Sequence, residues 1–134
     1  MTAEFHVSIT IIDEDCSPDE ISRFTGLKPT SIWLKGQLVP KTSLYRKHNG
    51  WRLKSPLSVE STLADHVNYL LTAVEPFSEK LKEFTSRCSL LLTCAVYFYE
   101  EMPELYMDQQ TITRLANLNL GLDIDLYYTG SSPK

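Results

Sequence analysis

Few residues in this chain are suited to chemistry, and the first question is whether any of them share a spacing that chemistry requires. The stretch ISRFTGLKPTSIWLKG, residues 21–36, has two glycines, two lysines, a Thr-Ser pair and a tryptophan, the ingredients of a phosphate-gripping loop. A P-loop sets G-x-x-x-x-G-K-[ST] between a strand and a helix, so that amides and the helix dipole converge on the anion. Here Gly26 and Gly36 are ten apart, the order is reversed, and the stretch follows a predicted helix. It is therefore not a nucleotide loop. At most Lys28, Thr30, Trp33 and Lys35 form a basic, aromatic-tipped loop.

Metal and nucleophile sets fare no better. His6, His48 and His66 are scattered, and Asp65-His66 puts two side chains on neighbouring faces of a helix, where His66 is expected to be partly exposed. Cys16, Cys88 and Cys94 form no CxxC pair and are expected as three free thiols. Cys88 and Cys94 lie six apart on one predicted strand, about 20 Å from each other, too far to close a site. There is no G-x-S-x-G elbow, and the acidic run around Cys16 disfavours its thiolate. No metal, no cofactor and no catalytic set is expected. The remaining chemistry is a pair of carboxylates, Asp123 and Asp125, two apart and so on one face of a strand. The polar sheet face that carries them is expected to show His6, Ser8, Thr10, Arg52, Lys54 and Tyr127 as well. Such a face is a ligand site, a dimer interface or simply wetted sheet.

The elements that position these residues are legible in the periodicities. FHVSITII alternates as a half-buried strand does, with Phe5, Val7, Ile9 and Ile11 on one side. Ser17 with Glu20 forms a capping box and Pro18 suits the first helical position, while Gly26 and Pro29 end that helix. His48-Asn49-Gly50 turns into a strand at Trp51. From Thr62 a stripe of Leu63, Val67, Leu70, Leu71 and Val74 predicts a helix, which Pro76 breaks before a second short one carrying Phe77, Leu81 and Phe84. CSLLLTCAVYFYE is apolar on both faces, which predicts a central strand; Asp108 caps a further helix, and GLDIDLYY alternates. ISRFTGL (21–27) and ITRLANL (112–118) share their apolar spacing, which suggests a strand–helix–strand unit used twice, with Ile21, Phe24, Leu27, Ile112, Leu115 and Leu118 in the core. The expectation is one α+β domain over 1–134. Its single mixed sheet of four to five strands would include 4–12, 50–55, 88–99 and 122–129, with helices mainly on one face.

Charge is polarised along the chain. The interval between Glu20 and Glu60 has no acid and eight bases, so the remainder carries −12 against a net of −4. Acids cluster at 13–20, at Glu100, Glu101, Glu104 and Asp108, and at Asp123 and Asp125. Interleaving of these charges in space is the simpler expectation, because segregation in sequence need not survive folding. The start has no basic leader followed by a long apolar run, and the longest apolar stretch is about half of a membrane-spanning helix. With the thiols, this points to the cytoplasm.

The chain resembles a bacterial family known as domain of unknown function 4279. The likeness lies in the alternating first strand and the P-D-E-I helix start (18–21), then G-L-K-P-T (26–30) with Lys35-Gly36. It continues in Trp51 opening a strand that ends at Ser55, D-H-V-x-x-L-L (65–71) and L-D-I-D (122–125). The resemblance implies a small α+β domain and brings no catalytic residues with it.

Three functions remain in view. A non-enzymatic protein-binding domain of the immunity type leads, by analogy of size, charge and missing chemistry. It would meet a basic toxin surface with acidic residues drawn from Asp13, Glu14, Asp15, Asp19, Glu100, Glu101 and Glu104. Next is a small-ligand or weakly enzymatic role on the polar sheet face, using His6, Arg52, Lys54, Asp123 and Asp125. The third is nucleic-acid binding by segment 28–54, where Trp33, Tyr45 and Trp51 interleave with bases; a pI of 5.3 and the absence of a known module disfavour it. The expected partner is a protein, not a membrane, with a homodimer left open.

Overall fold

The computed structural model describes residues 3–13 and 15–130. Each element begins and ends where local chemistry demands. Strand β1 (Ala3–Asp13) buries Phe5, Val7, Ile9 and Ile11 on one side. Helix α1 (Pro18–Thr25) starts at Ser17, whose Oγ accepts from the Glu20 amide at 3.4 Å. It ends at Gly26, whose φ of 80° is the left-handed cap that glycine adopts without a Cβ penalty. Helix α2 (Leu63–Val74) starts on the Thr62 hydroxyl and buries Leu63, Val67, Leu70, Leu71 and Val74. Pro76 then forces a 3-10 turn at Glu75–Phe77 before the short helix α3 (Ser78–Lys82). Asp108 caps helix α4 (Gln109–Asn117), its Oδ1 accepting from the Thr111 amide at 2.8 Å.

Together with β2 (Ser31–Trp33), β3 (Asn49–Lys54), β4 (Ser89–Phe98) and β5 (Gly121–Tyr128), β1 forms one mixed sheet in the order β2-β3-β1-β4-β5. Only β4 and β5 pair in parallel, bridged by α4. The fold is α+β, and the four expected strands stand within one residue of their expected limits. The fifth, β2, lies inside the stretch that resembled a phosphate loop: SIW is an edge strand, and Trp33 faces Gly50 across the pair. The apolar side of β1 joins the helices in one core cluster with Trp51, which is fully buried and donates from Nε1 to Ser22 Oγ at 3.1 Å. The middle of the sheet is β1; β4, expected at the centre, is the interior strand beside it.

Several expectations are overturned. Cys16 and Cys88 are not free thiols: they are joined in a disulfide, their Cα atoms 6.3 Å apart, and Cys94 alone is free among the described cysteines. The thiol count therefore no longer argues for the cytoplasm; no helix among the described residues is long and apolar enough to cross a membrane. The duplicated unit fails as a packing repeat. Helix α1 buries Pro18, Ile21 and Thr25, whereas α4 buries Thr111 and Leu115, followed by Leu118. The second stripe is thus displaced by one position, about 100° of helix rotation. Phe24 is consequently 44% exposed and Ile112 54% exposed, and Leu27 is half-buried. The reason lies at Arg114, which faces α2 instead. Its guanidinium donates to both Glu75 carboxylate oxygens at 2.7 Å and to Asn68 Oδ1 at 2.8 Å.

Candidate functional site

The structure sorts the expected binding residues into separate places. His6, Arg52, Lys54, Asp123 and Asp125 all line one depression of about 550 Å³ on the sheet face opposite the helices. Register explains this: Ser8 pairs with Lys54 and Thr93, Thr10 with Arg52, Thr93 with Asp123 and Ala95 with Asp125. Bases from β3 form one wall and acids from β5 the other; between them lie Ser8, Thr93 and Ala95, with Glu4, His6 and Tyr97 of β1 and β4 at one end. Lys54 Nζ donates to His6 Nδ1 at 3.4 Å, and Arg52 Nε to Thr10 Oγ1 at 3.5 Å. Burial, with Arg46 adding repulsion, lowers the proton affinity of Arg52.

The acidic residues do not form one patch. Asp13 stands at the C-terminal end of β1, Asp15 just after it and Asp19 in the first turn of α1; Glu14 lies outside the described residues. Glu100, Glu101 and Glu104 stand near the other end, on the segment joining β4 to α4. They line a pocket of about 500 Å³ whose floor and walls include Ala3, Phe5, Leu63, Met102 and Pro103. Glu60, which the charge reading passed over, joins them there from the chain ahead of α2. No described Lys or Arg lies within ion-pair distance of these four carboxylates. Glu100 itself has φ 57°, a left-handed conformation that a non-glycine residue rarely adopts.

The bases behave likewise. Arg46 and Arg52 place their guanidinium carbons 4.7 Å and 5.0 Å from the centre of the Trp33 ring, with no described carboxylate paired to either. Charge therefore stays segregated only locally: Arg52 and Lys54, from the acid-free interval, share the sheet-face depression with Asp123 and Asp125, as the simpler expectation of interleaving had it.

One further pair has the look of chemistry. His66 Nδ1 lies 2.7 Å from Ser55 Oγ, the reach of a base from a nucleophile. His66 is only 1% exposed, where partial exposure was expected, and neither residue lines either cavity. Its Nε2 has no partner within hydrogen-bond distance among the described residues; besides Ser55 the Ser58 backbone bears on the ring, and no described carboxylate bonds to it to orient it as a base. The pair is a core contact. No group of three or more potential metal ligands comes together among the described residues.

The motifs that carried the family resemblance fall into structural roles: Gly26 as helix cap, Trp51 in the core on Ser22, and Ser55 on His66. The model of the family described as domain of unknown function DUF4279 matches residues 3–129. The chain belongs to that family. No curated protein and no solved structure matches it. Within this DUF4279 chain, Thr30 adds a further structural tie, its Oγ1 accepting from the Lys54 amide at 2.9 Å. The signal that was available but missed is Glu60, the acid that closes the basic interval.

Proposed function

We propose that the protein is a non-enzymatic binding module that takes a Lys- or Arg-bearing segment of a protein partner into the Glu60/Glu100/Glu101/Glu104 pocket. The observation that carries this reading is an apolar floor beside four carboxylates that no described Lys or Arg pairs. Apolar walls receive the aliphatic stem of a Lys or Arg side chain while the rim receives its charge. A basic bacterial toxin domain, neutralised by an immunity-type protein, is the partner class that fits this chemistry. Unpaired acids on the rim speed encounter with such a surface more than they add affinity.

The test compares two triple reversals of equal charge. Glu100→Lys, Glu101→Lys and Glu104→Lys together should slow association with a purified basic partner at least about tenfold at low salt, with the urea midpoint unchanged within error. Asp13→Lys, Asp15→Lys and Asp19→Lys, from the end of β1 into the first turn of α1, should have a much smaller effect. Equal slowing by both sets would reduce the pocket to a general charge effect. Co-purifying nucleic acid that is lost on reversing Lys41, Arg46 and Lys47 would replace this reading with the nucleic-acid one.

A further inference from the structure

The depression on the open sheet face is separate from the acidic pocket, and its charges are arranged differently. Three inter-strand steps of about 4.8 Å set the backbones of β3 and β5 about 14 Å apart. Arg52 and Lys54 stand on the first strand, Asp123 and Asp125 on the last. The long basic side chains line the same cavity as the two carboxylates. They do not meet: no ion pair joins the walls among the described residues. Between them the floor is Ser8, Thr93 and Ala95, all short, and toward the start of β1 it is closed by Glu4, His6 and Tyr97, so that a third carboxylate adds to the acidic side.

The basic wall is held in place before any ligand arrives. The Trp33 ring lies over Gly50, where a Cβ would overlap the indole, and Arg52 and Arg46 both rest against that ring. Arg52 also reaches Thr10, whose hydroxyl lies 3.0 Å from that of Thr93, and Thr93 in turn lies 3.3 Å from the Ser8 carbonyl. Two like-charged guanidiniums share one indole with no described carboxylate between them, which favours an added anion. The acidic wall is equally unanswered, which favours an added cation. A purely anionic ligand would leave Asp123 and Asp125 unpaired and would be repelled by them. A purely cationic one would meet the same obstacle at Arg52.

From this we infer that the sheet face binds a small dipolar molecule, its anionic group on Arg52 and Lys54 and its cationic group on Asp123 and Asp125. An ω-amino acid or a basic amino acid has this chemistry.

The probe is 6-aminohexanoate, with hexanoate and hexylamine at matched ionic strength as half-ligands, followed by amide chemical shifts. The zwitterion should shift Ser8, Thr93 and Ala95 saturably, and each half-ligand should bind about tenfold more weakly or worse, the loss expected for one charged contact. Arg52→Gln should abolish the shifts. Because Arg52 packs on Trp33, that variant risks its strand; Asp123→Asn with Asp125→Asn, on an exposed edge, should abolish them with the rest of the spectrum intact. Equal binding of hexanoate, saturable shifts confined to other residues, or no saturable shift at all would each overturn the inference.

Discussion

His66 and Ser55 are joined by a 2.7 Å contact inside the core, and the other ring nitrogen of His66 is buried without a hydrogen-bond partner among the described residues. A proton added to that ring would place a charge in the core, which the Ser58 backbone and Asp65 offset only in part. Burial, the chief cause, lowers the proton affinity of His66 below its ordinary value of 6.5. The unfolded chain therefore takes up a proton that the folded one refuses. Stability is full above pH 6.5 and declines as pH falls from there toward the lowered folded value. Urea midpoints measured from about pH 7.5 to about pH 5 should fall for the native chain and stay nearly level for His66→Gln over the same range. Glu75 works in a different window. The hydrogen bonds from Arg114 hold its carboxyl below the usual 4.5, so its contribution is present above that pH and lost only as pH falls further.

The rotation of α4 relative to α1 has a direct energetic signature. Leu118 is 3% exposed and Ile112 54% exposed. Leu118→Ala should cost about 2–4 kcal/mol, and Ile112→Ala within about 0.5 kcal/mol of nothing. Comparable losses at both positions in denaturant unfolding would restore the packing repeat.

The Cys16–Cys88 bond closes a long loop, with 72 residues of sequence separation. Replacing both cysteines by serine should lower stability by about 2–4 kcal/mol, the range for bridges of this kind. Alkylation gives an independent count: in denaturant without reductant only Cys94 should be modified, and with reductant all three. In the native state Cys94 should resist, since burial pushes its thiol up to about 12.

Glu100 offers a separation of binding from folding. Its left-handed backbone costs a non-glycine residue about 1–2 kcal/mol, whereas glycine gives up about 0.5–1 kcal/mol in chain entropy. Glu100→Gly should therefore leave thermal stability unchanged or slightly raised, while association with a basic partner weakens. A marked loss of stability would mean that the side chain, not the backbone, governs this position.

Most of the architecture was legible because it is written locally. The Ser17, Thr62 and Asp108 caps, the stop at Gly26 and the alternation of β1 each depend on residues within a turn or two. The polar sheet face followed from the same alternation, which is why all five of its residues arrived together. What escaped was set by tertiary partners. Cys16 meets Cys88 only after α1, the sheet and α3 have come together. Glu60 joins Glu100 across forty residues, and no periodicity links them. Ile112 and Phe24 look like core in a helical wheel, but Arg114 on Glu75 turns α4 away from the orientation of α1. The three-residue β2 is too short for a period of two to be seen, and Lys28 and Pro29 before it read as loop.

The bridge between Cys16 and Cys88 also gives the chain the topology of a ring with two tails. The ring holds α1, β2, β3, α2 and α3, and so every base of the acid-free interval; the tails hold β1, β4, α4 and β5. Leu38, Leu44 and Tyr45 are exposed on the hairpin-like loop between β2 and β3, an accessible place for a protease. A single cut there opens the ring without releasing a fragment. In denaturant the nicked molecule would keep its size until a reductant is added, and only then separate into two pieces, one carrying β1, α1 and β2 and the other everything from β3 onward.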